Sequence, residues 1–95
     1  MKILEEAIKV FQERHSQYGD FTKRFKKTAK MFTGYLEQTI PGSKVCKIII
    51  LEKLSRSDVT YQRDNWLDII NYAAMGDILQ QLEEKEKKEK VKPIK

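Results

Sequence analysis

Cysteine and histidine each occur once, at Cys46 and His15. A lone cysteine cannot staple the chain to itself, and a zinc site of the Cys/His type needs about four such ligands. Both disulfide frameworks and structural zinc are therefore excluded. Cys46 stands beside Val45 and the run Ile48-Ile49-Ile50, a setting in which a thiol behaves as a small hydrophobe. Two prolines and four glycines leave few places for the chain to break. No apolar run approaches the roughly 18 residues of a membrane span. The opening MKILEE meets acids within its first turn and lacks an apolar signal core, so a cytoplasmic protein is expected, with no membrane partner.

What the chain does contain is charge and helix-forming residues. Of its 95 residues, 40% are apolar and 35% charged, which suits one small soluble domain with one modest core. The net charge of +5 comes from 19 Lys and Arg against 14 Asp and Glu. The segment 83–95, EEKEKKEKVKPIK, holds six Lys and four Glu with little that is apolar. It reads as a charged, partly disordered tail that frays before Pro93, following a single helical domain over 1–82.

Hydrophobic spacing predicts four helices. Leu4, Ile8, Phe11 and His15 recur at helical intervals, with Ile3, Ala7 and Val10 on the adjoining row. That helix ends near Tyr18, where Gly19 suits a left-handed C-cap and Asp20 an N-cap for the next helix. Phe21, Phe25, Ala29, Phe32 and Leu36 then form a second stripe, with Lys23, Lys27 and Lys30 opposite. Ile40-Pro41-Gly42 closes that segment, and Ser43 can cap a third helix through about Ser57. Its apolar residues point in nearly every direction, which implies burial on more than one side. A strand is the rival reading of KIIIL, but Lys47, Glu52, Lys53 and Arg56 continue the segment without turn residues. A fourth helix should begin near Arg63 and run past Leu82, with Trp66, Leu67, Ile70, Ala74 and Ile78 inward. The expected fold is all-α, a four-helix up-and-down bundle. The apolar third helix suggests a homo-oligomer, since a second hydrophobic face is most simply covered by another copy.

The chemistry gathers in LEKLSRSDVTYQRDNWLDIINYAAM. Lys53 and Arg56 share one helix face. Asp64 and Asp68 stand four apart, with Asn71 next on the same stripe. Two carboxylates at that spacing can hold Mg2+, which keeps several waters and completes its shell from substrate phosphates. Lys and Arg alongside suit the phosphate itself. The same four residues also fit an interhelical salt-bridge network around a bundle seam.

In order, Tyr18-Gly19-Asp20, Lys53-x-x-Arg56, Asp64-x-x-x-Asp68 and Tyr72 resemble a group of small phage and prophage proteins of unassigned or nucleotide-modification-associated function. More distantly they are similar to the MazG-like all-α nucleotide pyrophosphohydrolases. The resemblance spans about residues 3 to 80. It implies an all-helical, self-associating fold, a nucleotide ligand, and Tyr18, Asp20, Lys53, Arg56 and Tyr72 as ligand-binding residues, with Asp64 and Asp68 as metal ligands. The MazG-like pattern of E-E-x-x-E facing E-x-x-D is incomplete here. Glu5-Glu6 is followed by Ala7, Ile8 and Lys9, and Glu52 with Ser55 misses the second motif. Binding is therefore expected ahead of Mg2+-dependent hydrolysis.

Other classes stay open. The Lys23, Lys27 and Lys30 face can dock on nucleic-acid phosphates non-specifically, although no helix-turn-helix signature or interleaved aromatic accompanies it. A small phage protein that inhibits or titrates a host factor is the remaining class. His15 is a candidate proton carrier, but on an apolar row packing is its commoner role. Trp66 is expected in the core.

Overall fold

The computed structural model describes residues 1–90, and they form an all-α bundle of four helices. These are α1 (Lys2–Tyr18), α2 (Phe21–Leu36), α3 (Gly42–Ser57) and α4 (Arg63–Lys90). KIIIL is helical, as its charged continuation requires. The loss of order expected before Pro93 falls in residues 91–95, outside those described. Short of that point the charged segment remains helical, and α4 runs unbroken through Glu83 to Lys90.

The antiparallel pair α3 and α4 forms the most extensive interface, α1 lies against α4, and α2 lies against α3. Close approach of α3 and α4 depends on Gly76, where a Cβ would come within 3.2 Å of the Cys46 Cβ. Phe21, Phe25, Ala29, Ile40, Val45, Cys46, Met75 and Leu79 make up the core, with Phe11, Phe32, Ile49 and Tyr72 packed at its edge. Burial, assisted by the charge of Glu83, pushes the Cys46 thiol up to about 11, so it stays protonated and inert.

Two expected faces are displaced. On α1 the sealed residue is Ala7, 1% exposed, while Leu4 and Ile8 face outward. On α4, Leu67, Asp68, Asn71, Met75 and Leu79 are buried, whereas Trp66, Ala74 and Ile78 are exposed. Trp66 is 42% exposed and is not a core residue. Asn71 explains both shifts: its Nδ2 donates to the Ala7 carbonyl at 3.0 Å, which draws α1 against a polar row of α4.

The connections also differ in detail. Gly19 has φ 76 and ψ −157, a region open essentially to glycine alone rather than the left-handed helical one, and its N–H donates to His15 O. Asp20 caps α2 by accepting from the Thr22 amide at 2.9 Å and the Thr22 hydroxyl at 2.8 Å. Ahead of Pro41, α2 has already ended, at Leu36, with Glu37 left-handed; Ile40 N then donates to Thr33 Oγ1. Ser43 does not cap α3, because its hydroxyl and its amide both donate to the carboxylate of Glu83 from α4. That carboxylate satisfies an orphan amide of the first turn and complements the helix dipole there. Glu83→Ala is expected to lower stability by about 1–2 kcal/mol, as loss of a cap does, read as a lower urea midpoint.

The hydrogen bond from the Thr22 hydroxyl, then that from its amide, holds the Asp20 carboxyl below its ordinary value; a bond from Arg63 does the same for Glu6. A carboxyl lowered in the folded state stabilises above its unfolded value, about 4. That contribution disappears as pH falls through the lower folded value. The urea midpoint should therefore drop between pH 5 and pH 3, and Asp20→Ala should drop less over the same interval.

Candidate functional site

Two hollows adjoin along α1. The first is a cleft of about 510 Å³ where the loop between α3 and α4 meets both helices, walled by Lys53, Arg56, Asp64, Asn65 and Asp68, with Arg14 from α1. It contains all four of the charged residues singled out from the spacing of the sequence. They are not equivalent. Asp68, 7% exposed, is locked by two cations: Arg14 Nη1 lies 3.0 Å from its Oδ1 and Lys53 Nζ 3.1 Å from its Oδ2. Arg56 pairs instead with Glu52 at 2.7 Å, one turn earlier on its own helix. Asp64 is exposed at the cleft wall. The cleft thus combines a salt-bridged floor with an open mouth.

The arrangement explains which groups are available. Both oxygens of Asp68 are engaged, so Asp64 and Asp68 do not form a ready two-carboxylate clamp. Among the described residues no three His, Cys, Asp or Glu side chains converge to hold a metal ion. Arg14 is half-exposed while bound to Asp68 through one nitrogen, which leaves other guanidinium N–H groups for a ligand. Asn65 is buried beside them, and among the described residues no hydrogen bond engages its side-chain amide. Because no buried side-chain polar atom is sealed off without a partner, that amide reaches the cleft.

The second hollow, about 290 Å³, lies between α1, α2 and α4 at the HSQYGDF corner. Phe11, His15, Tyr18, Arg24, Asn71 and Tyr72 are among its walls. Tyr18 lies under the Arg24 guanidinium, 5.6 Å from ring centroid to carbon, and Tyr72 meets Phe25 edge-on at 6.0 Å. His15 is exposed and stacks on Phe11 at 6.1 Å. Asp20 lines neither hollow, being turned to its cap. Arg14 lines both.

Lys53, Arg56, Asp64 and Asp68 are thus brought together, and Tyr18 and Tyr72 share the neighbouring hollow. Arg14, Arg24 and Asn65 were not singled out by sequence reasoning as ligand residues. Arg14 sits beside His15 on the outward side of an amphipathic helix, and Arg24 is one of five cations in its run. Neither carries a distinguishing sequence signal. Asn65, next to Asp64, falls on the buried side of α4 only because polar residues occupy that side. Lys23, Lys27 and Lys30 are all exposed on α2, away from these hollows.

The fold and its paired hollows define a small all-helical protein with a charged cleft. Residues 2–80 match a family described as a domain of unknown function, DUF6378, and the chain belongs to that family. It is also 41% identical over 73 residues to the Gene 55 protein of Mycobacterium phage D29. The match covers 75% of this chain and 48% of the phage protein, so the chain spans about half the length of that relative. No solved structure matches it.

Proposed function

We propose that the chain binds a phosphorylated nucleotide, with its phosphate at the mouth of the cleft between Arg14, Lys53 and Arg56. One observation carries this reading: cations from α1 and α3 converge on an open cleft beside the unengaged amide of a buried Asn65. Guanidinium and ammonium groups in such a setting make charge-assisted bonds to phosphate oxygens. Asp68 orients two of the cations, and Tyr18 and Tyr72 belong to the adjoining wall. Mg2+ would arrive with the phosphates and screen their charge, with Asp64 as the protein carboxylate beside it.

Binding without turnover fits the carboxylates better than a MazG-like pyrophosphohydrolase does, since Asp68 is held by cations and the acid set is incomplete. A cytoplasmic phage-type protein that sequesters a nucleotide, or titrates a host factor through one, needs nothing more. A thermal-shift screen of nucleotides and cyclic nucleotides, with and without Mg2+, tests this, because a ligand that binds only the folded state raises the melting point. Recovery of the ligand unchanged is expected. Release of pyrophosphate, abolished by Asp64→Asn, would replace the reading with the hydrolase. A steeply salt-dependent nucleic-acid affinity lost on substitution of Lys23, Lys27 and Lys30 would replace it with the basic face of α2.

The same reading includes self-association, and the surface supports it. Ile48, Leu51 and Leu54 are exposed at intervals of three on α3, and Trp66, Ala74 and Ile78 on α4. A second copy related by a two-fold axis would cover such stripes, and about 800 Å² per partner suffices for a stable interface. Leu51, 65% exposed, costs little to replace in a monomer. Leu51→Asp is expected to leave the helical content unchanged while converting a dimer to a monomer by light scattering.

A further inference from the structure

We propose that the aromatic hollow at the HSQYGDF corner receives the base of the nucleotide whose phosphate occupies the cleft, with Arg14 at the junction, and that it favours bases carrying an exocyclic amino group. This inference rests on the phosphate reading above. Three features of the hollow carry it.

Its walls combine flat aromatic surface with cations and no carboxylate. Phe11, Tyr18 and Tyr72 offer ring faces or edges, Arg14 and Arg24 supply positive charge, and no Asp or Glu lines the space. A π-faced ligand close to an anionic group matches that combination, since bases stack on aromatic side chains and on guanidinium planes. A volume of about 290 Å³ is at the lower end for small-molecule sites, suited to one ring system rather than to an extended chain.

Connection between the hollows comes from Arg14, which walls both. Its Nη1 is held on Asp68, so the guanidinium sits at the boundary in a fixed place. A ligand with its ring on one side of that group and its phosphate on the other meets cations along its whole anionic edge.

Base preference follows from Asn71. Its Nδ2 donates to Ala7 O, and because a carbonyl only accepts, that bond fixes which way the amide faces. Among the described residues no hydrogen bond engages its Oδ1, and the residue lines the hollow while 8% exposed. Because no buried side-chain polar atom among the described residues lacks a partner, this oxygen opens on the hollow, where an exocyclic amino group can donate to it. Adenine, cytosine and guanine carry such a group at the rim of the ring, whereas the edge donor of uracil and thymine is the in-ring N3–H, flanked by two carbonyls that the Asn71 oxygen would meet as like acceptors.

The test uses nucleoside monophosphates and pyrophosphate as separate probes on the full chain, followed by amide chemical shifts and calorimetry. Pyrophosphate should shift resonances of Arg14, of Lys53 to Arg56 and of Val59 to Asp64 while leaving those of Tyr18 to Arg24 unmoved, whereas the monophosphates should also shift those of Tyr18 to Arg24. Tyr18 and Arg24 are exposed, so their replacement leaves the core untouched. Tyr18→Ala should weaken monophosphate binding roughly tenfold, the scale of one lost stacking contact, while Tyr18→Phe and the affinity for pyrophosphate stay unchanged. Amino-bearing bases should bind about tenfold more tightly than uracil, the scale of one buried hydrogen bond. A monophosphate that shifts only the cleft and binds Tyr18→Ala with undiminished affinity overturns the base assignment and leaves the phosphate reading standing. Shifts confined to the hollow, with no response to pyrophosphate, overturn the phosphate reading instead. Silence toward every probe at millimolar concentration overturns both.

Discussion

Asp68→Asn is expected to lower the melting temperature by roughly 10–20 °C, the equivalent of about 2–3 kcal/mol in a domain of this size. The cause is what remains behind. Lys53 keeps only 17% of its side chain exposed, so its ammonium loses a partner without gaining full hydration. Loss of one member of a fully buried ion pair costs about 3–5 kcal/mol, and the half-exposed Arg14, which can turn to water, reduces that figure here. The cost should disappear when the partner goes too: Asp68→Leu combined with Lys53→Met should recover most of the lost stability. A double mutant no more stable than Asp68→Asn would mean that the carboxylate supports the fold through something other than these two cations.

Lys53→Met is expected to reduce phosphate-ligand affinity by about tenfold to a hundredfold, since a hydrogen bond to a charged group contributes roughly 1.5–3 kcal/mol. The substitution is nearly isosteric in its aliphatic part, and Arg14 remains to neutralise Asp68, so the fold should survive. Calorimetric titration of pyrophosphate into the variant reads the effect directly. The loss should persist in the Asp68→Leu/Lys53→Met protein, which separates binding from stability. An affinity in Lys53→Met equal to that of the unaltered protein would place the phosphate out of reach of Lys53 and overturn its assignment to these cations.

These two expectations concern residues that the sequence picked out with different success. The Lys53/Arg56 and Asp64/Asp68 spacings correctly indicated one face on each of two neighbouring helices. They did not indicate that Arg56 would turn back to Glu52, or that Asp68 would take its second cation from α1. An i,i+4 partner competes with an interhelical one on nearly equal terms, and only the final separation of the helices decides between them.

The helical faces divide in the same manner. On α2 one apolar stripe stands against a run of cations, and Phe21, Phe25 and Ala29 are buried as that pattern requires. On α1 the apolar residues occupy two adjoining rows, and contact with Asn71 selects the row containing Ala7. On α4 the row Trp66-Ile70-Ala74-Ile78 is the more hydrophobic to read, yet Asp68 and Asn71 belong to the buried side. Polar side chains with partners on other helices can be buried, and the identity of those partners is not local information.

The sequence by itself determined the number and approximate limits of the helices, the corner at Gly19-Asp20 and the charge of the residues around the cleft. Each of these follows from neighbours within a few positions along the chain, where capping groups and 3.6-residue periodicity act. Tertiary structure alone decided that Arg14 joins two hollows, that Glu83 caps a helix 40 residues away, and that Asn65 and Asn71 are buried. Those outcomes depend on distances between helices, because a buried charge or amide is stable only where another segment happens to bring its partner.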